Sequence, residues 1–548
     1  MQRFCEDCGA PLEPGVAFCE NCGAKIAAPV APSAKSAMQS ALRPSLSAAL
    51  HAAASPAASA SAAGEQGIIY TNLNLLCAQT GAEKSAVTGA INSFIADAAA
   101  RGVSYTLLDV STRFADAATV AGHVAVIRGV VEKTHAKYLF ILGSNTVVPS
   151  MVWANEASDQ SSDKDVASDL PYATLDTASP FGGQQYNFDD TLRTGRLPNV
   201  DFAAYFANLK AGCGTAKAVN SFAMSAEVWQ EETRDIYKSI SRGAVLTSPE
   251  CTRAEAAGKI PAQTNVFLFN LHGNDRTEFW YGQRSSSYPE AVEPGSFGHI
   301  AQPYFIAVEA CYGAAYEGRP AEKSVLLSAL GGKCISFLGS SRIAFGTPSA
   351  PGCCADVICC EHLKNLCAGM TAGDSLALAR KSLMKGDCDA ETIKTLAEFS
   401  LYGDPSARLK GGTGSTSGKI AAGKIAAGSF AAGSFAAGSF TAGSFTTQTS
   451  AKSFALGIRI PQPDVRRAVR RELCTVDEKI RQSVEEAVYG RYPEFAGTKA
   501  VFYRNASGLA GSMAAVFSKA PDPGVPVAKI LAVSLGAGGR INRIMESK

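Results

Sequence analysis

Two tracts that cannot fold on their own divide this 548-residue chain. Residues 27–66 hold 16 Ala, 8 Ser and 4 Pro in 40 positions, a composition that buries too little side chain to offset the entropy of ordering. Residues 411–452 repeat Lys-Ile-Ala-Ala-Gly and Ser-Phe-Ala-Ala-Gly every five residues from Lys419 to Phe445. That period matches neither helix nor strand, and the glycines oppose a helix. Both tracts are expected to be disordered linkers, leaving three pieces: 1–26, 67–410 and 453–548. Only 67–410 is long enough for a large core.

Lys and Arg number 51 against 49 Asp and Glu, a net charge of +2, so no global field favours nucleic acid or an anionic membrane as partner. The sequence has no run of about 18 apolar residues, which argues against a spanning helix. The opening Met-Gln-Arg-Phe-Cys lacks the apolar region of a secretory signal, so a cytoplasmic protein is expected. In that compartment the 16 cysteines should be metal ligands, catalytic thiols or small core residues. Cys5-Glu-Asp-Cys8 and Cys19-Glu-Asn-Cys22 form two CxxC knuckles ten residues apart, each followed by Gly. Four thiolates at this spacing surround one tetrahedral Zn²⁺, which replaces a core that about 25 residues cannot build. The segment resembles short N-terminal zinc ribbons, and four cysteines leave no open position for catalysis.

Within 67–410, Tyr105–Asp109, Tyr138–Leu142, Val266–Leu271, Tyr304–Val308 and Cys334–Leu338 are continuous apolar runs, as expected of strands buried on both faces of a mostly parallel sheet. Helical patterns at 118–134, 226–241, 321–330 and 372–384 fit between them, giving an α/β unit with helices on both faces. Ligands in such sheets bind beyond the carboxyl ends of the strands. There the sequence reads Leu271-His272-Gly273-Asn274 after one strand and Glu309-Ala310-Cys311-Tyr312-Gly313 after another. An imidazole and a thiol at one edge make a nucleophile with its base, and Gly273 and Cys311 N–H groups become candidate oxyanion donors. His299 is the next histidine along. Cys353, Cys354, Cys359, Cys360 and Cys367 lack paired knuckles and read as helix packing.

These residues resemble the caspase-like superfamily of cysteine peptidases, gingipain-type members above all. Glu309–Gly313 is similar to the caspase pentapeptide around the nucleophile, with Glu in place of Gln and Tyr in the fourth position. His272-Gly273 resembles the superfamily His-Gly, and Trp280 the Trp that follows it in gingipains. Ordered matches continue at Tyr138–Gly143 with Val148-Pro149, Ser168–Tyr172, Thr194–Pro198, Gly339–Ser341 and Leu401–Ser406. The resemblance implies a caspase-hemoglobinase fold and a thioester mechanism on Cys311 and His272. It also places Glu309 at the specificity pocket and aligns a pocket Asp of arginine-specific gingipains near Glu227. A negative floor there would favour Lys or Arg before the scissile bond, while a structural partner for Glu309, such as Arg342, is an equal alternative. Gingipains are secreted and carry an immunoglobulin-like domain, whereas this chain pairs a ribbon with an expected α+β tail.

In the tail, a helix is expected over 464–487 and strands near 500–504, 513–517 and 528–535. Arg466, Arg467, Arg470 and Arg471 read as a solvated face. Lys35, Arg43, Lys419 and Lys424 are basic residues in the two linkers, expected foremost to keep them soluble. The function expected is a cysteine endopeptidase acting on protein or peptide substrates. The alternative is a caspase-like scaffold that recruits partners through ribbon and tail.

Overall fold

The computed structural model describes residues 64–112, 119–181, 185–213, 219–241, 243–349, 351–385, 388–409, 471–505, 513–520 and 525–548, with the short strands Arg3–Phe4, Pro11–Leu12 and Val465–Arg467. Cys5, Cys8, Cys19, Cys22 and nearly all of both low-complexity tracts lie outside these residues. Gly64–Lys548 form one compact unit.

Its centre is a ten-stranded sheet. The strands are β1 (Glu65–Thr71), β2 (Val103–Asp109), β3 (Tyr138–Leu142), β4 (Arg193–Leu197), β5 (Ser221–Ala226), β6 (Val245–Ser248), β7 (Val266–Asn270), β8 (Tyr304–Val308), β9 (Cys334–Ser340) and β10 (Phe399–Gly403). Their order is β6-β5-β7-β8-β9-β10-β4-β3-β1-β2, and every neighbouring pair is parallel except β9 with β10. The expected α/β class with a mostly parallel sheet is therefore observed. Strands β3, β7 and β8 are buried at every residue, which is why their apolar runs do not alternate. β1 begins inside the tract read as linker, because Ile68, Ile69 and Tyr70 supply a buried run just past the alanines.

Helices between the strands start on side-chain caps. Thr119 accepts from Gly122 N–H and Thr371 from Asp374 N–H, each relieving an orphan donor of the first turn. Phe94 on the helix Lys84–Ala100 then packs on Tyr105, Phe140 and Phe206, locking helix to sheet.

The tail departs from expectation. In place of a helix over 464–487, Val465–Arg467 pairs with Gln185–Asn187, Arg471–Leu473 is a strand, and the helix runs Glu478–Arg491. Asp477 caps it through Lys479 N–H, and Val484 and Val488, four apart, are its buried contacts. Val465, Val469 and Val476 mimic a helical period but are separated from that cap. The strands β11 (Arg471–Leu473), β12 (Val501–Asn505), β13 (Met513–Lys519), β14 (Lys529–Leu535) and β15 (Ile541–Ser547) form an antiparallel sheet. That sheet gains a sixth strand, Phe345–Gly346, from the main unit, paired with β15. The tail is thus docked on the α/β unit, not merely tethered to it. Among the described residues no helix is long and apolar enough to cross a membrane.

Candidate active site

Register sets His272 and Cys311 at one edge of the sheet. β7 and β8 run parallel with Phe269 opposite Val308, so the residues just beyond, His272 and Cys311, leave the same edge of the sheet. His272 N–H donates to Tyr281 O (2.9 Å) and His272 O accepts in return from Tyr281 N–H (2.8 Å), fixing the main chain. Its ring lies between Trp229 (4.3 Å between centroids) and Tyr288 (5.4 Å), with Nε2 2.7 Å from Gln283 Oε1. Gln283 Nε2 donates to Ser285 O, which turns its carbonyl toward the ring; Nε2 then carries the imidazole proton and Nδ1 is the acceptor. Gly273 allows the close approach, since a Cβ there would stand 1.9 Å from Cys311 O. Past the thiol, Tyr312 adopts φ +52°, a left-handed conformation that a bulky residue holds only under constraint. Its hydroxyl donates to Asp163 and its N–H to Arg342 O (2.7 Å).

The loop after β9 forms one wall. Cys311 Sγ faces Ala344 O at 3.6 Å, and Ile343 N–H donates to Asp163 Oδ2 at 2.7 Å. Beneath it the fully buried Lys394 donates to Ile343 O (2.6 Å) and pairs with Asp159, Asp163 (3.3 Å) and Glu398 (3.5 Å). Burial, reinforced by Asp159 and Asp163 against the opposing Lys394, pushes Glu398 up to about 8. No sequence motif marks this buried cluster; its members are scattered over 159–398 and meet only in the fold.

The pocket beside Cys311 is acidic. Glu309 is fully buried, and among the described residues its carboxylate meets only the Asp356 carboxylate and the more distant Lys548 ammonium. Burial first, then the Asp356 carboxylate, holds it well above the usual carboxylate range. Asp356 spends Oδ2 on Thr347 N–H (2.8 Å) and Cys353 N–H (3.1 Å), leaving Oδ1 toward the pocket. Glu232 is buried close by, and its charge is felt at both other carboxylates' common partner, Lys548. Lys548 Nζ stands 3.1 Å from Asp356 Oδ1, 3.8 Å from Glu309 Oε2 and 4.3 Å from the Trp229 ring centre.

Arg342 is not the partner of Glu309; it pairs with Asp165. Glu227 stays outside the pocket, in a half-exposed ion pair with Arg284. Asp356 and Glu232, which no motif marks, stand where a second pocket carboxylate was sought. His299 lies at the opposite edge of the sheet, with Nε2 3.0 Å from Ile260 O.

Cys311 is 4% exposed and His272 1%. Burial lifts the thiol far above its ordinary range and drives His272 down to about 3, so both are neutral in this state. The cover is the tail: Cys311 shares an apolar cluster with Cys353, Cys354, Val516, Ile530, Ala532 and Met545. Cys359 belongs to the main core, and among the described residues no group of His, Cys, Asp and Glu is arranged to hold a metal.

A zinc-ribbon domain family matches residues 4–26. No curated protein matches the sequence. Among solved structures, the Arg-specific cysteine proteinase gingipain R is similar with a TM-score of 0.48 and 12% identity, over 65% of this chain and 80% of that one. The complex of Porphyromonas gingivalis RgpB pro- and mature domains gives a TM-score of 0.48 and 11% identity, over 63% of this chain and 79% of that one.

Proposed function

We propose that the chain is a cysteine endopeptidase that cleaves after a basic residue, lysine foremost. The observation that carries the reading is the convergence of Cys311, His272-Gly273 and a buried acidic pocket at the carboxyl ends of β7 and β8. His272 Nδ1 takes the thiol proton, and the thiolate attacks the carbonyl carbon of the residue whose side chain fills the pocket. The oxyanion that forms is received by Cys311 N–H, with Gly273 N–H as second donor. Collapse breaks the C–N bond, the imidazolium gives its proton to the departing amine, and water then hydrolyses the thioester with His272 as base.

At the N-terminus, the four thiolates of Cys5, Cys8, Cys19 and Cys22 are the donor set that a structural zinc takes, and the ribbon, like the tail, offers a surface to a protein partner. Twelve cysteines among the described residues carry free thiols, which suits a reducing cytoplasm.

The test is labelling by a peptidyl acyloxymethyl ketone with lysine at the reacting position. The expected result, once the tail that covers Cys311 is displaced, is covalent attachment to Cys311, absent in Cys311→Ala and in His272→Ala. A wild type that stays unlabelled while iodoacetamide alkylates Cys311 at a normal rate would sink the peptidase reading.

A further inference from the structure

Lys548, the last residue of the sequence, meets the site in three independent ways. Its side chain fills the pocket of Asp356, Glu309 and Glu232, with the ammonium over Trp229. Its main-chain oxygen accepts from Cys311 N–H at 3.2 Å, the donor that the oxyanion of a substrate would need. Its strand, β15, lies antiparallel on Phe345–Gly346, with Ser547 opposite Phe345 and Lys548 N–H donating to Ala344 O at 3.0 Å.

A lysine buried only for stability needs counter-ions. It does not need its main-chain oxygen on the nucleophile's N–H, nor an extended backbone paired to the wall of the site. Peptide recognition by strand addition uses that combination: main-chain pairing for affinity and one pocket for specificity. Gly346 shows how closely the pocket is cut to this side chain, because a Cβ there would stand 2.0 Å from Lys548 Cε and 2.6 Å from Asp356 Oδ1. Neighbouring contacts hold the strand in place: Trp229 Nε1–H donates to Glu546 (3.2 Å) and Arg543 pairs with Asp389.

We propose that β15 and Lys548 are a substrate-like ligand bound in cis, which closes the Cys311 cleft against other peptides until the strand is displaced. This rests on the peptidase reading for its consequence, but the occupancy itself is readable without turnover. The burial of Cys311 under Val516, Ile530, Ala532 and Met545 is part of the same contact, and displacement would return the thiol to water.

The experiment uses the full chain and follows alkylation of Cys311 by iodoacetamide, peptide by peptide in a mass spectrometer, beside turnover of a lysyl peptide amide. Cys334, buried at the opposite edge of the sheet, is the internal control. In Lys548→Gln and Lys548→Glu the Cys311 rate is expected to rise at least tenfold over wild type with Cys334 unchanged, whereas Lys548→Arg stays within threefold of wild type. That pattern with a parallel rise in turnover supports both readings. The same pattern without turnover in any variant supports occupancy and refutes the peptidase. Unchanged Cys311 rates in both Lys548→Gln and Lys548→Glu overturn the occupancy whatever the turnover. A rise shared equally by Cys334 marks general loosening and overturns it too.

Discussion

Neutralising Asp356 and Glu309 separately tells which carboxylate reads the lysine. Asp356 Oδ1 is 3.1 Å from the ammonium and Glu309 Oε2 is 3.8 Å. At an effective dielectric of about 20, a unit charge at the shorter distance is worth ~5 kcal/mol before desolvation is subtracted. Asn at 356 keeps a carbonyl oxygen for Thr347 and Cys353 N–H, so the cap survives while the charge is lost. Breaking one side of a buried pair usually costs about 3–5 kcal/mol, which sets the expected loss at roughly 10²–10⁴-fold in kcat/KM for a lysyl substrate.

Glu309 differs because its oxygen stands farther from the ammonium, and burial, with the Asp356 carboxylate beside it, disfavours its charged form. Glu309→Gln keeps the shape of the side chain and removes the more distant of the two oxygens, and less than about tenfold is expected to be lost. The assay compares kcat/KM for peptide amides with lysine or norleucine before the scissile bond, in the wild-type and Lys548→Gln backgrounds so that occupancy by the tail does not mask the effect. Norleucine keeps the methylenes and drops the ammonium. The lysine-to-norleucine ratio should collapse in Asp356→Asn and survive in Glu309→Gln. A ratio within threefold of its parent in Asp356→Asn would refute the assignment of charge recognition to this pocket.

Gly346→Val places a side chain where Lys548 Cε now lies, so it should free Cys311 for iodoacetamide yet abolish turnover of lysyl substrates; retained turnover with normal KM would show that the pocket is elsewhere. One zinc per chain is expected by metal analysis, lost in Cys5→Ser or Cys22→Ser while the melting of the α/β unit is unchanged. Glu398, raised to about 8, keeps its proton in the fold when the unfolded chain has already released it. Its contribution is therefore full below about 4.5 and is lost as pH rises through about 8. Glu398→Gln should gain on wild type by about 2–4 kcal/mol between pH 5 and pH 9 in denaturant titrations, and a flat difference would contradict the assignment.

What could be read from the sequence were the parts decided locally. Continuous runs such as Tyr138–Leu142 and Tyr304–Val308 gave strands with the expected bounds, because burial on both faces leaves no other use for such a run. β4 and β10 escaped notice, since Arg193–Leu197 and Phe399–Gly403 carry arginine, glycine and serine whose burial is arranged by partners far along the chain. Arg196, fully buried, is held by Asp169 and by Gly143 O and Val148 O. The same holds at the site. His272, Gly273 and Cys311 announce themselves by position after strands, whereas Asp356 looks like a helix cap and Glu232 like one charge in the polar stretch Gln230–Lys238. Their second role exists only once Lys548 is folded against them.

The order of the chain gives that last contact a temporal meaning. Strand β10 and the residues up to 409 complete the α/β unit, yet the strand that covers its cleft is made 139 residues later, from 409 to 548. At about 5–20 residues per second, and with domains folding as units during synthesis, the gap lasts roughly 7–28 s. In a copy whose α/β unit folds before its tail is made, the cleft stays uncovered for that interval, and any extended lysine-bearing segment nearby, including one from a neighbouring nascent chain, competes first for the place that β15 later takes.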